Sequence, residues 1–341
     1  MRMATGIARI GRPLTGLIFG ILLALLAGFI VFAARDVGVS VGSPTRSPLS
    51  PPTDEWQPGA AGAGVASGEF GAWRNSPVTV AGSWSDVDAD SQLSLTQLDP
   101  GGEFDNWTGS LDLAVGAIFE DAGETWSAAA EGAYDERWRE LLTNLEEKWT
   151  KKDRGTLFIR FAHEWNGDWS LWTVDAANLH QFVTAWRRFY DLKQSLMPEA
   201  KLVFNTNGDT TGQEYDWRDG WPGDSYVDVY STDWYSNHYL EGKKLDAYGG
   251  PVGLEQHRLF AEAHHKPFAI SEWGVNFESG GDQPRYVQFM HDFAQENGGN
   301  GPGQLLYDVY FNVIWTPNQF GIFPQSETLV PESAAKYQQL Y

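Results

Sequence analysis

The chain contains no cysteine. Disulfides and thiolate metal sites are therefore excluded, and the fold must rest on a core large enough to need no covalent staple. Cations are scarce as well: 24 Lys and Arg stand against 45 Asp and Glu, a formal net charge of −21 over 341 residues. Phosphate backbones and anionic lipid surfaces are recognised through clustered Lys and Arg, and no such cluster occurs beyond the N-terminus. Nucleic acid is accordingly not an expected partner. With 42% hydrophobic and 20% charged residues the composition is that of a globular protein, not a disordered one. No short fixed-period repeat is present.

Tryptophan is abundant, at 16 residues. Part of that number is aromatic core. The rest suits a cleft whose walls stack on the apolar C–H faces of sugar rings, since indole offers a wide rigid surface with one N–H donor. Together with the acidic charge, this favours a neutral ligand such as a polysaccharide.

Four segments follow one another along the chain. Residues 1–13 carry Arg2, Arg9 and Arg12 and are expected to face the cytoplasm. Residues 14–34, LTGLIFGILLALLAGFIVFAA, have no charge and are long enough to cross a hydrocarbon layer of roughly 30 Å as a helix. They read as a single-pass anchor, with a cleaved signal peptide ending near Val31-Phe32-Ala33 as the alternative. The chain beyond is cell-membrane-bound and extracytoplasmic in the first case, secreted in the second. Residues 35–64, rich in Pro, Gly, Ser and Ala, read as a tether. Residues 65–341 form the folded domain.

In that domain strand-like runs occur at 78–84, 111–119, 156–164, 201–207, 226–235, 267–274 and 306–315, with a weaker one at 65–73. Several are almost continuously apolar, as parallel strands buried on both faces are. Helix-period stretches at 134–149, 175–196, 253–265 and 284–297 lie between them, and Asp175 offers an N-cap for the second. Eight strands alternating with helices predict an α/β fold, a (β/α)8 TIM barrel.

In such barrels reactive groups sit at the C-terminal ends of strands. Those ends here are His163-Glu164, Asp233-Trp234-Tyr235, Ser271-Glu272-Trp273-Gly274 and Trp315. Two glutamates thus end two strands on opposite sides of the mouth. Opposed carboxyl groups suit glycosidic hydrolysis: one, protonated, acts as acid on the leaving oxygen while the other, ionised, attacks the anomeric carbon or activates water. A gap of about 5–5.5 Å would mean retention and about 6.5–9.5 Å inversion.

The runs RFAHEWNGDWSLW (160–172) and ISEWG (270–274) resemble the signatures of family 26 glycoside hydrolases, a clan A barrel family that includes β-mannanases. The resemblance spans about residues 65–341. It implies a retaining double displacement with Glu164 as general acid/base and Glu272 as nucleophile. It further implies that Tyr235 hydrogen-bonds the nucleophile, that Trp315 floors the subsite where the bond breaks, and that Trp172 is a stacking platform on the leaving-group side. His163 would contact the sugar or orient the acid. Trp165 stands where smaller or thioether residues are common in the family.

Beside that resemblance, burial against Trp165 or Trp169 would keep Glu164 protonated, and a donor such as the Tyr235 hydroxyl would keep Glu272 charged. Arg160 lies on the same strand as Glu164 and reads as an interior partner of it or of a neighbouring strand. Asn205 and Asn207 are candidate contacts to sugar hydroxyls, Trp84 and Trp107 line distal subsites or simply pack, and Asp233 hydrogen-bonds at the mouth or supports the core. A zinc protease is rejected, because HExxH needs histidine where Gly167 stands. No metal or cofactor is implied, since two carboxyl groups can supply the chemistry. The expected activity is that of an endo-β-glycanase, most simply a β-mannanase. The alternatives are a hydrolase of the cell's own exopolysaccharide and a non-catalytic barrel that binds polysaccharide.

Overall fold

The computed structural model describes residues 56–313 and 320–341. Eight strands close into a barrel in strict sequence order, every neighbouring pair parallel: β1 (Gln57–Gly62), β2 (Val80–Ser85), β3 (Ser110–Val115), β4 (Leu157–Phe161), β5 (Lys201–Asn207), β6 (Val229–Tyr235), β7 (Phe268–Gly274) and β8 (Leu305–Asn312). The long helices Asp135–Lys148, Leu179–Leu196, Leu254–Ala263 and Pro284–Asn297, and the final helix Pro331–Leu340, pack outside. Each covers the sheet with an apolar stripe at helical spacing, such as Trp138, Leu141, Leu142 and Leu145, or Phe182, Ala185, Trp186 and Phe189. Trp138, Phe161, Trp186 and Phe189 meet in edge-on and stacked contacts between β4 and its helices, so much of the tryptophan is core.

The first strand departs from the sequence reading. Residues 57–62, assigned above to the tether, form β1, and 65–73, the weak eighth strand candidate, contains the helix Glu69–Arg74 instead. The strand QPGAAG has no β-branched or aromatic residue, so it carries no strand signature. Its small residues are needed where it lies: a Cβ at Gly59 would meet Val80 O at 2.5 Å and Asp308 O at 2.6 Å, backbone of both flanking strands. Trp56 pins the entry, its indole N–H donating to Asp308 Oδ1 at 2.7 Å while Trp273 Nε1 donates to Oδ2 at 2.7 Å. Asp175 does not cap the helix predicted from 175: that helix begins at Leu179, and Asp175 Oδ1 accepts from the amides of Ala177 and Asn178 in the turn before it.

Among the described residues no helix is long and apolar enough to cross a membrane. The expected anchor, 14–34, and most of the tether lie outside the described residues, as does Trp315.

Inside the barrel the side chains change character along the strands. One layer is apolar: Ala61, Val80, Phe158, Val203, Val229, Ala269, Tyr307 and Val309. Two residues further on, the inward positions become Arg160, Asn205, Ser231 and Ser271, and then Asp233. A two-residue step keeps a strand on the same face, so polarity is loaded at one end only, the C-terminal mouth.

Gly59→Ala should destabilise the protein by about 1–3 kcal/mol, because backbone on both sides must move. Urea denaturation measures this; an unchanged midpoint would mean that 57–62 is not a barrel strand.

Candidate active site

Glu272 reaches the mouth because of a bulge. Along β6 and β7, Thr232 pairs with Ile270 but Asp233 pairs with Glu272, so β7 holds one extra residue. Strict alternation would turn Glu272 away from the interior along with Ile270. The extra residue resets the alternation. Ser271 still faces Ser231 and Tyr307, Glu272 now faces the interior too, and Trp273 packs outward against Tyr286, Tyr310 and Tyr337.

The Glu272 carboxyl group, 6% exposed, receives three fixed donors. Arg160 Nη1 donates to Oε1 at 2.7 Å, Trp84 Nε1 to the same oxygen at 3.0 Å, and Tyr235 Oη to Oε2 at 2.7 Å. Arg160 is itself locked: Nε donates to Asp112, whose second oxygen takes the Tyr307 hydroxyl at 2.8 Å, and its guanidinium lies 5.8 Å from the Trp84 ring.

Glu164 is held differently. The chain leaves β4 in a left-handed conformation, with φ of 53° at Ala162 and 49° at Glu164, uncommon for residues with a Cβ. Loop contacts hold that geometry. The Glu164 amide donates to Asn205 Oδ1 at 3.3 Å, and the Asn166 amide group ties the loop to the backbone of Asn207 and Asp209. The Glu164 carboxyl group takes one fixed donor, Trp169 Nε1, at 2.9 Å to Oε2. Burial, and next the charge of Glu272, push it up to about 8.

A count of charge around the mouth points the same way. Arg160 is one cation, and there are five carboxyl groups, of which Asp86, Asp112, Asp233 and Glu272 are buried and Glu164 partly so. They cannot all be ionised in a low-dielectric interior beside one guanidinium. Asp112 and Glu272 hold the direct Arg160 contacts. Asp233 sits 3.6 Å from Arg160 Nη1, its Oδ1 accepts from Asn205 Nδ2 at 2.9 Å, and no fixed donor reaches its buried Oδ2. Burial and the charges of Glu272 and Glu164 hold Asp233 well above the usual range. Asp233 is close enough to Glu164 to offset a small part of the rise at Glu164.

His163 is 8% exposed, and burial, then Arg160, depress it well below 6.5, so it is neutral. Its Nε2 faces Asp86 Oδ2 at 3.6 Å.

Asn205 and Trp172 are not placed to contact a sugar, whereas Arg160 is the interior partner and Trp107 the packing residue that the sequence allowed. Arg160 and Asn205 have no exposed surface; the first fixes Glu272, and the second has both amide atoms occupied, linking the Glu164 backbone to Asp233 and Ser231. Trp172, only 4% exposed, braces the loop by donating to the His163 carbonyl at 2.7 Å, and so presents little face for stacking. Trp107 donates to Ser110 O and packs on Phe104. Trp165 lies in the core between Phe182 and Tyr215, so the indole beside Glu164 is that of Trp169. Trp84, expected to line a distal subsite or to pack, touches Glu272. Asp86 and Asp112 were missed. Asp112 carried a signal, a lone acid inside the apolar run at 111–119, whereas Asp86 looked like one more polar loop residue.

A closed parallel barrel with two differently held glutamates at its mouth belongs to the architecture of barrel glycoside hydrolases. Residues 134–265, which include Glu164 and Tyr235, match the family model described as glycosyl hydrolase family 26. Endoglucanase H of Acetivibrio thermocellus is 28% identical over 142 residues, 38% of this chain and 15% of that protein. Mannan endo-1,4-beta-mannosidase A and B of Caldalkalibacillus mannanilyticus is 25% identical over 196 residues, 53% of this chain and 33% of that protein. The chain thus spans a third or less of the length of these curated relatives. GH26C from Muricauda sp. and the catalytic domain of the Bacillus sp. JAMB-750 GH26 endo-beta-1,4-mannanase each superpose with a TM-score of 0.57 at 15% identity, over 84% of this chain and 85% of theirs. At that identity the likeness concerns the fold.

Proton storage at the mouth has a measurable sign. Glu164 and Asp86 are raised from 4.5 to about 8 and from 3.8 to about 7. The folded state therefore binds more protons than the unfolded state across that interval, and stability falls as pH rises through it. Each such group contributes a slope of up to about 1.4 kcal/mol per pH unit. Glu164→Gln should flatten the fall between pH 5 and 8 in urea denaturation; an unchanged slope would mean that Glu164 is already ionised there.

Proposed function

We propose that this barrel is a retaining endo-β-glycanase of β-mannanase type, in which Glu272 is the nucleophile and Glu164 the acid/base. The observation that carries the reading is the asymmetry of the two carboxyl groups: three fixed donors on Glu272 against one on Glu164. Environments that drive two acids apart set their roles.

Glu272 attacks the anomeric carbon as Glu164 gives its proton to the departing glycosidic oxygen, leaving a covalent glycosyl ester. Esterification removes the Glu272 charge, one of the two causes that raise Glu164. Glu164, left as a carboxylate by the proton transfer and no longer facing the Glu272 charge, takes a proton from the incoming water, whose oxygen displaces Glu272 and gives the retained configuration. Tyr235, Arg160 and Trp84 keep their donors on Glu272, stabilising it as nucleophile and as leaving group. Trp169 steadies Glu164 in both protonation states. On the family resemblance alone, Trp315 is assigned the floor of the subsite where the bond breaks.

A mannan substrate is favoured because one relative and one structural neighbour are named as mannan-hydrolysing enzymes. A β-glucan is second, since the other relative is named an endoglucanase. Incubation with mannan, glucomannan, mixed-linkage glucan, xylan and native exopolysaccharide tests the assignment. Wild-type protein should depolymerise mannan, and Glu272→Ala should be slower by at least about 10⁴-fold. Proton NMR of the first product should show the β-anomer before mutarotation. Equal activity in the two proteins would remove the catalytic reading and leave a binding barrel; an initial α-anomer would make the enzyme inverting.

We infer further that residues 14–34 hold the barrel at the outer face of a membrane, supported by their uncharged length and the arginines before them. The protein should remain in the membrane fraction after alkaline carbonate washing. A form free in the medium that begins after Ala33 would show a cleaved signal peptide instead.

A further inference from the structure

We propose that Asp86 and His163 together grip one ring hydroxyl of the sugar that is attacked, making Asp86 a substrate-binding and specificity-determining residue. The inference rests on the glycanase reading above. Asp86 follows β2 directly, and His163 stands two residues beyond β4. The intervening strand, β3, carries Ala114 at the level of Trp84 and Arg160, and continues into Gly116. Small residues there let the side chains from β2 and β4 meet over the top of β3.

Asp86 Oδ2 and His163 Nε2 stand 3.6 Å apart. That is too far for a hydrogen bond between them and close enough for one oxygen to reach both. Each is short of partners. Among the described residues, no side chain of another residue hydrogen-bonds the Asp86 carboxyl group, and the one backbone donor near it is its own amide. His163 Nδ1 is buried with no partner. Facing a carboxyl group, the single proton of the neutral imidazole belongs on Nε2. Nε2–H then donates to the hydroxyl oxygen of the sugar, and the hydroxyl proton is donated to Asp86.

The remaining exposure places this pair at the mouth rather than in the core: Asp86 is 7% and His163 8% exposed. Both feel the Arg160 charge, and Asp86 also feels that of Glu272. Trp84, two residues before Asp86, donates to Glu272. On that proximity the hydroxyl is assigned to the ring whose anomeric carbon is attacked. Burying two unsatisfied groups is unfavourable without a ligand, so a substrate that lacks the hydroxyl leaves both unpaired.

The test is a cycle between side chain and substrate. Dinitrophenyl β-mannobioside and β-cellobioside, and their 2-deoxy, 3-deoxy and 6-deoxy analogues at the ring bearing the aryl group, are assayed with wild type, Asp86→Ala and Asp86→Asn. The aryl leaving group needs little acid assistance, so Glu164 does not mask the result. With the full hydroxyl set, Asp86→Ala should lower kcat/KM by about 10- to 100-fold. With one deoxy analogue, the same substitution should cost less than about threefold. Asp86→Asn retains a carbonyl acceptor and should recover most of the loss. If the loss from Asp86→Ala is the same for every analogue, the residue is only structural and the grip is overturned, while turnover by the wild type keeps the glycanase reading standing. If the wild type turns over neither series, that reading falls and the grip with it.

Discussion

One buried guanidinium organises the mouth of this barrel. Arg160 bonds Asp112 through Nε and Glu272 through Nη1, with Asp233 at 3.6 Å. A charge in that position is costly unless paired, and breaking such a pair typically costs about 3–5 kcal/mol. The pairing ties β4 to β3 and to β7 across the barrel. It also sorts the acids by contact: Asp112 and Glu272 bond Arg160 directly, while Glu164 and Asp86, without that bond, are raised to about 8 and about 7. Which carboxyl groups meet the guanidinium is in this sense a consequence of where a single cation is anchored.

Much of this was legible in the sequence. Seven strands and the principal helices follow from apolar runs and helical periodicity, and the closed barrel follows from their alternation. Glu164, Glu272 and Tyr235 stand out as polar residues at the ends of apolar strands. Legibility fails where a residue is chosen for space rather than propensity. QPGAAG looks like tether because glycine and alanine suit flexible linkers, yet the same smallness admits a strand between the carbonyls of Val80 and Asp308. It fails again for partners brought together by closure. Arg160 and Asp112 are 48 residues apart, Trp84 and Glu272 188; nothing local in either pair announces the other. Asn205 was misread for a related reason, since an amide at a strand end suits a sugar contact and a loop brace equally well.

The β7 bulge shows how small a backbone change a site can require. Without the extra residue, Ser271 would still face the interior, but Glu272 would lie on the outer face with Ile270, among helix-packing aromatics. Trp273 accepts that outer position instead, at no loss, because Tyr286, Tyr310 and Tyr337 surround it and Asp308 takes its N–H. The bulge therefore solves two placements at once, one at the barrel mouth and one in the helix layer, and the residue order Ser-Glu-Trp is what makes both possible.

Strain at Glu164 fits the same logic. A positive φ at a residue with a Cβ persists only when its surroundings over-determine it. Here Asn205 holds the amide, the Gly167 amide donates to the Glu164 carbonyl at 2.9 Å, and Trp169 holds the carboxyl group. Asn205 also donates to Asp233, so the group that fixes the Glu164 backbone is bonded to a carboxyl whose titration is tied to that of Glu164. Position and protonation of the acid are thus coupled through one amide. A shift of the β4 loop would alter both, so the geometry of the loop is as much a determinant of acidity as burial is. Any residue that relaxes this loop should be felt first in proton transfer and only afterwards in binding.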